Sequence, residues 1–454
     1  MFKTNQIKEV SLNANMLDIP EDKYIRLLDR WKVYQLRNNS SLFRKFLLFL
    51  TLVGPGILVM IADNDAGGVI TYAQTGAQYG IGFFIPFLIL MIPVAYIVQE
   101  MTVRLGAVTK RGHAEMIWKR YGKFWGAFSL FDLVVANILT LITEFIGMAT
   151  GLKVFGVPAW LSVIGGFVVV SSVLIFLKYY TWERIALWIA AGNLVFVPLV
   201  ILAHPDWSKV ISSFATWHIP HGSSFSTFIY IILANLGTTI APWMLFFQQS
   251  SVVDKGLAKI DIPQGQLDTF IGSVIMGIVA ISIVILTGSL VFGLPGASGF
   301  DINHIMFVLS KSRIGQIGTD LFALGLAEAG LIAAIAITAS TSWATGEALD
   351  LERSINSRFS KALPFYLSGI LSSALAATVV LIPHMPLGLL NLAVQVIATI
   401  FMPAAMLFLL MLLNDKEIMG DYVNKPWQNI AAFTIVGILI IANMLYGYTV
   451  MFHK

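Results

Sequence analysis

The chain has 454 residues, 57% of them hydrophobic and only 12% charged, with a formal net charge of +4 and no cysteine. A soluble domain typically carries about 25% charged residues, so this composition puts the chain in lipid, and the missing thiols exclude disulfides and thiolate metal centres. No Walker-type loop, HExxH pair or nucleophile–base constellation occurs, which argues against an ATP-driven pump within this chain, a zinc hydrolase or any other enzyme. Residues 1–42 are polar and of mixed charge and read as a cytoplasmic tail, helical in character over 21–36 and without a signal-peptide core. About eleven apolar stretches follow, each long enough to cross a bilayer. They run over 46–80, 83–107, 124–149, 159–178, 185–203, 225–252, 269–293, 318–346, 362–383, 388–413 and 428–451. They divide into a set of five over 43–203, an extracellular loop over 204–224, a second set of five over 225–413, and a loop with an eleventh helix over 414–454.

Basic residues give the orientation. Those from Lys3 to Lys45, with Arg104, Lys110, Arg111, Lys119, Arg120, Lys123, Lys178, Arg184, Lys255, Lys259, Arg353, Arg358, Lys361, Lys416 and Lys425, all fall on one side. Lys153, Lys209, Lys311, Arg313 and Lys454 fall on the other. The positive-inside rule makes the first side cytoplasmic. The expected protein is therefore a multi-pass plasma-membrane protein, N-terminus inside and C-terminus outside. Its expected partner at this point is the lipid bilayer; no nucleic acid and no cofactor is expected, and a monomer should suffice.

Two of the stretches are interrupted. The first reads GPGILVMIADNDAGGVITYAQTGAQYG from Gly54 to Gly80, with Asp63, Asn64, Asp65, Ala66, Gly67 and Gly68 at its middle. A charge at the centre of a membrane helix costs about 2.5–3.5 kcal/mol, and each glycine costs about 1 kcal/mol relative to alanine. An unwound stretch lining a cavity, flanked by half-helices, resolves both costs. The sixth reads NLGTTIAPWMLFFQQSSVVDKG from Asn235 to Gly256. Pro242 has no N–H and disfavours helical geometry at Ala241, freeing carbonyls around Gly237 to Ala241. Breaks at matching places in two halves mark an inverted-repeat transporter and its binding site.

These motifs carry a family resemblance. The GPG and AQTGAQYG flanks of the first break, TEFIGMATGLKVFGVPAW (Thr143 to Trp160), LFALGLAEAG (Leu321 to Gly330), QVIATIFMPAAM (Gln395 to Met406) and MGDYVNKPW (Met419 to Trp427) resemble the natural resistance-associated macrophage protein (NRAMP) family of divalent-metal transporters. The resemblance implies an all-α integral membrane protein of about eleven transmembrane helices, a LeuT-like 5+5 inverted repeat with helices 1 and 6 discontinuous. The chain departs from that family at its site. Asp65, Ala66, Gly67 and Gly68 stand for DPGN, so the aspartate is kept and the ligating asparagine is Gly68. Ala241, Pro242 and Trp243 stand for Met-Pro-His, so thioether and histidine are both lost; Gln248 replaces a second histidine, and Leu141 replaces an aspartate beside Glu144. This pattern is similar to that of the bacterial NRAMP-related magnesium transporters, which implies transport of Mg²⁺ and Mn²⁺ without proton coupling.

The chemistry of the substitutions agrees. Thioether sulfur favours later transition metals, whereas carboxylate, carbonyl and water suit Mg²⁺ and Mn²⁺. Mg²⁺ sheds water reluctantly, and the volume deleted at Gly68 and Ala241 would admit a partly hydrated ion. Asp65 is the expected main ligand, with the backbone carbonyls of Ala62 and Thr238 that the resemblance supplies. Asp63 is either a second carboxylate acting through water or a vestibule residue facing away from the metal. Asn64 and Gln248 are outer-shell candidates, Gln248 being equally a helix–helix hydrogen bonder. Trp243 is a gate candidate or a packing residue. Glu144 is read as a structural remnant of the family's proton path, while Glu328 and Asp132 are intramembrane carboxyls without an assigned role. None of the seven histidines forms an i, i+4 pair within a span. The expected activity is import of a divalent cation, Mg²⁺ first and Mn²⁺ second, by alternating access. The alternatives are a proton-coupled Mn²⁺/Fe²⁺ transporter and an organic-substrate symporter on the same scaffold.

Overall fold

The computed structural model describes residues 51–217, 225–295 and 301–452. The chain divides after Val53 into two units, and the fold below is that of the second. The tail expected over 1–42 and its helical stretch lie outside the described residues.

Helix is the only regular structure among the described residues. The first crossing is made of two pieces, α1 (Pro55–Ala62) and α2 (Ala66–Tyr79). The second is α3 (Phe84–Thr109), the third α4 (His113–Lys153) and the fourth α5 (Ala159–Phe176). The fifth runs from α6 (Tyr179–Ala190) through a 3₁₀ turn, Ala191–Val195, into α7 (Phe196–Ala203). A short loop helix, α8 (Trp207–Ser213), precedes the sixth crossing, made of α9 (Phe225–Thr239) and α10 (Pro242–Lys255). Then come α11 (Ile262–Leu290), the loop helix α12 (Ile302–Lys311), α13 (Gly315–Ala348), α14 (Leu363–Val380) and α15 (Leu387–Leu413). The short α16 (Lys416–Met419) leads to α17 (Pro426–Phe452). Ten stretches among the described residues are long and apolar enough to cross a membrane. The broken first crossing escapes that test because α1 has 8 residues and α2 has 14; with it, the expected count is reached.

Two crossings depart from their expected form. The third is longer than 124–149 and is bent at Gly122, whose φ of 87° only glycine adopts readily. The fifth begins at Tyr179 rather than 185 and is interrupted at 191–195. There Glu328 on α13 lies against Gly192, where a Cβ would come within 2.9 Å of its Cγ, and accepts a hydrogen bond from Asn193 Nδ2 (3.1 Å). Apolarity alone does not register such an interruption.

Several basic residues are tied to neighbouring elements by ion pairs. Arg120 on α4 pairs with Asp415 (2.7 Å) and Glu417 (2.8 Å), Arg353 with Glu115 (2.7 Å), and buried Lys255 with Glu183 (2.8 Å). Lys153, by contrast, shares a small cavity with residues of α12 and the start of α13.

The half-helix α1 is too short to hold itself, and its N-cap, Gly54, has no side chain. Its cap comes from α11. Asp268, 1% exposed, accepts from Gly54 N (3.1 Å), Gly56 N (2.7 Å) and Ile57 N (3.1 Å), satisfying donors that a helix start leaves orphaned. Asp268→Ala should therefore lower stability by on the order of 3 kcal/mol, read as a fall in Tm of the detergent-solubilised protein, while Asp268→Asn, which keeps one acceptor, should lose less. Equal Tm values for both variants and the parent would dismiss this cap.

Close approach of α9 to α15 rests on Gly237. A Cβ there would collide with the Gln395 carbonyl oxygen, a backbone atom that cannot swing aside. Gly237→Ala should cost roughly 1–3 kcal/mol through overpacking, visible as poor recovery of monodisperse protein on gel filtration.

Candidate functional site

The first interruption is made by diverting hydrogen bonds. In an unbroken helix the Ala66 N–H would bond the Ala62 carbonyl; here it goes to Glu144 Oε2 on α4 (2.9 Å). Asp65 is the N-cap of α2 and its Oδ1 accepts from Gly68 N (2.5 Å). Two carboxylates thus share the positive end of one half-helix, where backbone donors and the helix dipole both favour negative charge. Glu144 is held in turn by Thr143 Oγ1 (2.9 Å).

The second interruption is made by proline. Residue 242 would donate to the Thr238 carbonyl, and Pro242 has no proton to give. The Ala241 N–H, which would go to Gly237, turns instead to Met244 Sδ (3.4 Å). So the carbonyls of Ala62, Gly237 and Thr238 each lose the helical donor they would otherwise have had.

The two breaks meet at Gly68. A Cβ there would stand 2.5 Å from Thr238 Oγ1, 3.1 Å from Asp65 Oδ1 and 3.4 Å from the Asp63 carbonyl oxygen. The residues between α1 and α2 are almost wholly buried: Asp63, Asn64 and Asp65 are 1%, 0% and 2% exposed. Both Asp63 carboxylate oxygens lack any hydrogen-bond partner, as do Asn64 Oδ1 and Thr238 Oγ1. Asn64 Nδ2 is anchored on the Met276 carbonyl of α11 (3.1 Å). Burying a carboxylate without donors is expensive, so this surplus of acceptors is complementary to a cation. Among the described residues no three His, Cys, Asp or Glu side chains converge as a ready-made metal cluster; the oxygens here come from carboxylates, carbonyls and a hydroxyl.

Several expectations need correction. The room expected at Gly68 is taken by the Thr238 hydroxyl and the Asp65 carboxylate, so the glycine brings two backbones together and opens no chamber there. The backbone groups at both positions are engaged: Gly68 N–H donates to Asp65, and Ala241 gives its N–H to Met244 Sδ and accepts from Met244 N on its carbonyl (3.2 Å). Gln248 is not an outer-shell group in this arrangement, since its amide joins Thr102 on α3 (3.1 Å) to Thr269 on α11 (2.7 Å). Asp63, read as a second carboxylate or a vestibule residue, is buried at 1% exposure. Sequence reasoning also missed Met244, which carries a sulfur to the edge of the break although residue 241 has none. Its position three residues after the N-cap, where capping side chains reach back, was the available signal.

Aromatic rings flank the site on both sides. Past Pro242, Trp243 meets Phe247 (ring centroids 5.9 Å apart), and Phe247 meets Trp343 (5.7 Å) and Trp182 (5.9 Å). At the far end of α2, Tyr79 meets Phe228 (5.5 Å), which also touches Phe83 (5.0 Å) and Phe84 (6.0 Å). Beyond that cluster lies a cavity of about 850 Å³ bordered by Tyr79, Lys209, Ser213 and Phe292. Trp243 itself is fully buried.

The family model "Natural resistance-associated macrophage protein-like" matches residues 56–449. The chain belongs to this family. Among curated proteins, NRAMP relatives include the divalent metal cation transporter MntH of Staphylococcus aureus strain JH9, 28% identical over 438 residues and covering 90% of this chain and 92% of the relative. Among solved structures, the Eremococcus coleocola manganese transporter in complex with an aromatic bis-isothiourea compound aligns with a TM-score of 0.74 at 21% identity, over 90% of this chain and 87% of its own. A point mutant of that transporter aligns at 0.70 and 20% identity, over 88% and 86%. MhsT in complex with L-phenylalanine aligns at 0.56 and 15% identity, over 87% and 98%. These likenesses show the fold, which is the LeuT-like NRAMP architecture of a multi-pass membrane protein.

Proposed function

We propose that this NRAMP chain imports a hard divalent cation, Mg²⁺ first and Mn²⁺ second, by alternating access and without proton coupling. Transport of a divalent metal is the coarser part, supported by family membership and by the name of the MntH relatives. Preference for Mg²⁺ rests on one observation: the buried Asp63 carboxylate, without a donor, beside Asp65 and the released carbonyls of Ala62 and Thr238. Every atom in that surplus is oxygen, the donor type Mg²⁺ and Mn²⁺ take. The sulfur of Met244 accepts from the Ala241 N–H. Asp65, Asp63 and the two carbonyls are the proposed ligands, direct or through water; Asn64 is outer-shell and Trp243 a gate on the side proposed as cytoplasmic. A membrane potential, negative inside, supplies about 2.3 kcal/mol per charge per 100 mV, and twice that for a divalent ion, which suffices for uptake.

A second reading, proton-coupled Mn²⁺ transport, is favoured by the retained Glu144 beside Asp65 and by the manganese transporters that share the fold. An organic-substrate symporter is disfavoured because Asp65 and Glu144 already occupy the donors of α2 that would receive a substrate carboxylate. The deciding experiment is flux into proteoliposomes with Mg²⁺ and pH reporters read together. Mg²⁺ entry without acidification is the expected result; Mn²⁺ entry with acidification and no Mg²⁺ flux would replace this reading by the second.

A further inference from the structure

Lys153, Lys209, Lys311 and Arg313 fall on the side that the positive-inside rule keeps poor in basic residues. Lys209 stands beside Asp206 (3.7 Å), whereas Lys153 and Lys311 have no carboxylate partner among the described residues. Lys153 is the last residue of α4 and borders a cavity of about 340 Å³, which α12 and the first turns of α13 also line. Lys311 Nζ lies 5.8 Å from the ring centre of Phe307, another residue of the wall. Most polar groups of that wall are used within the protein. Ser310 and Thr319 donate their hydroxyls to the Phe307 carbonyl (2.7 Å) and the Gly315 carbonyl (3.0 Å). The amides of Asn303 and Gln316 donate to Asp301 (2.9 Å) and Asp320 (2.7 Å), and neither aspartate borders the cavity. Thr150 is different. It lines the cavity at only 6% exposure, and its hydroxyl has no hydrogen-bond partner. Beside it α13 begins without a capping side chain, and such a helix start carries unbonded amides and the positive end of the dipole.

An ammonium, a sheltered hydroxyl and an uncapped helix start suit an anion with several oxygens, and phosphate is the common one. Position and lining say where that phosphate comes from. The cavity lies where α4 stops and α13 starts, the ends of two crossings and so the level of lipid headgroups. Val154, Met306 and Phe307 make part of its wall apolar. Phe307 is 60% exposed, and Ile317, in the first turn of α13, is 76% exposed. A soluble phosphate would use none of that apolar surface, whereas the glycerol and first acyl carbons of a phospholipid would cover it. The volume also falls within the roughly 300–1,000 Å³ of small-molecule clefts, more than a lone ion fills.

We propose that this cavity binds the phosphate of an anionic phospholipid through Lys153 and Thr150, in the leaflet opposite the side proposed as cytoplasmic. Native mass spectrometry of the full-length, detergent-solubilised chain, titrated with phosphatidylglycerol, counts the lipids it retains. The parent should keep one phosphatidylglycerol more than Lys153→Glu. Lys153→Ala should weaken that site about tenfold, as for one lost bond to a charged group, and Thr150→Val, which keeps the side-chain shape, about threefold. Lys209→Glu changes a charge on the same side but outside this cavity, and it should retain the parental number. Phosphatidylcholine, whose headgroup brings its own cation toward Lys153, should be held more weakly than phosphatidylglycerol. Lys153 is exposed, so its variants fold and decide the matter even if Thr150→Val does not yield monodisperse protein. Equal retention of phosphatidylglycerol by the parent and both Lys153 variants overturns the site. Displacement of the lipid by millimolar inorganic phosphate would give the cavity to a soluble anion and overturn the lipid assignment.

Discussion

Asp65→Asn should reduce Mg²⁺ flux by about a hundredfold while leaving the protein folded. The two halves of that expectation come from different atoms of the side chain. One oxygen caps α2 through Gly68 N (2.5 Å), and asparagine, a good N-cap residue, preserves that bond. The charge is what asparagine removes. Losing a charged ligand in a buried site costs about 3 kcal/mol, which corresponds to about two decades in binding. Asp65→Ala should lose the flux and the cap together, with an additional penalty of about 1 kcal/mol in stability. The measurement is initial-rate uptake in proteoliposomes, paired with thermal unfolding of the same preparations. An Asp65→Asn protein that transports at half the parental rate or better would remove Asp65 from the metal's path.

Ala241→Met should move preference toward soft ions. The substitution returns a thioether to the N-cap of α10, beside the Thr238 carbonyl. Soft donors raise affinity for later transition metals and Cd²⁺ while giving Mg²⁺ little, so the concentration of Cd²⁺ that halves Mg²⁺ uptake should fall about tenfold, the effect of one added favourable ligand of roughly 1.4 kcal/mol. Met244 complicates the comparison, because its sulfur already lies 3.4 Å from Ala241 N. Met244→Leu separates the two sulfurs. If Met244 only satisfies the Ala241 N–H, the leucine variant keeps the parental Cd²⁺ response; if Cd²⁺ sensitivity drops in Met244→Leu and does not rise in Ala241→Met, selectivity resides in the wrong place for this account.

The architecture was legible because its causes are local. Apolar runs of sufficient length mark crossings, and glycine pairs, carboxylates and a proline at mid-membrane mark breaks. Asp63 through Gly68 and Thr238 through Trp243 stand at the breaks the sequence marked. The contents of the site were less legible because they depend on which neighbour arrives. Nothing in the run around Gln248 tells that Thr102 and Thr269 will take both ends of its amide. Nothing around Gly68 tells that Thr238 will close over it, so a deleted side chain was read as space when it served contact. Asp268 lies some 210 residues from the helix it caps, a pairing that no periodicity encodes. The interruption of the fifth crossing at Gly192 and Asn193 was hidden for the same reason, since its partner, Glu328, comes from α13.

The two interruptions differ in permanence. Thr238 lost its donor to a proline ring, and no movement of the protein can restore a proton to Pro242; that carbonyl lacks its helical donor in every conformation. Ala62 lost its donor to a neighbour's grip, the Glu144 carboxylate on Ala66 N–H, and a grip can be released. Should α4 draw Glu144 away, the Ala66 proton becomes free to return to Ala62 and re-knit α1 to α2, withdrawing one oxygen from the ion. The retained glutamate would then govern how many oxygens the ion meets, a ratchet tooth on the fixed frame that proline supplies.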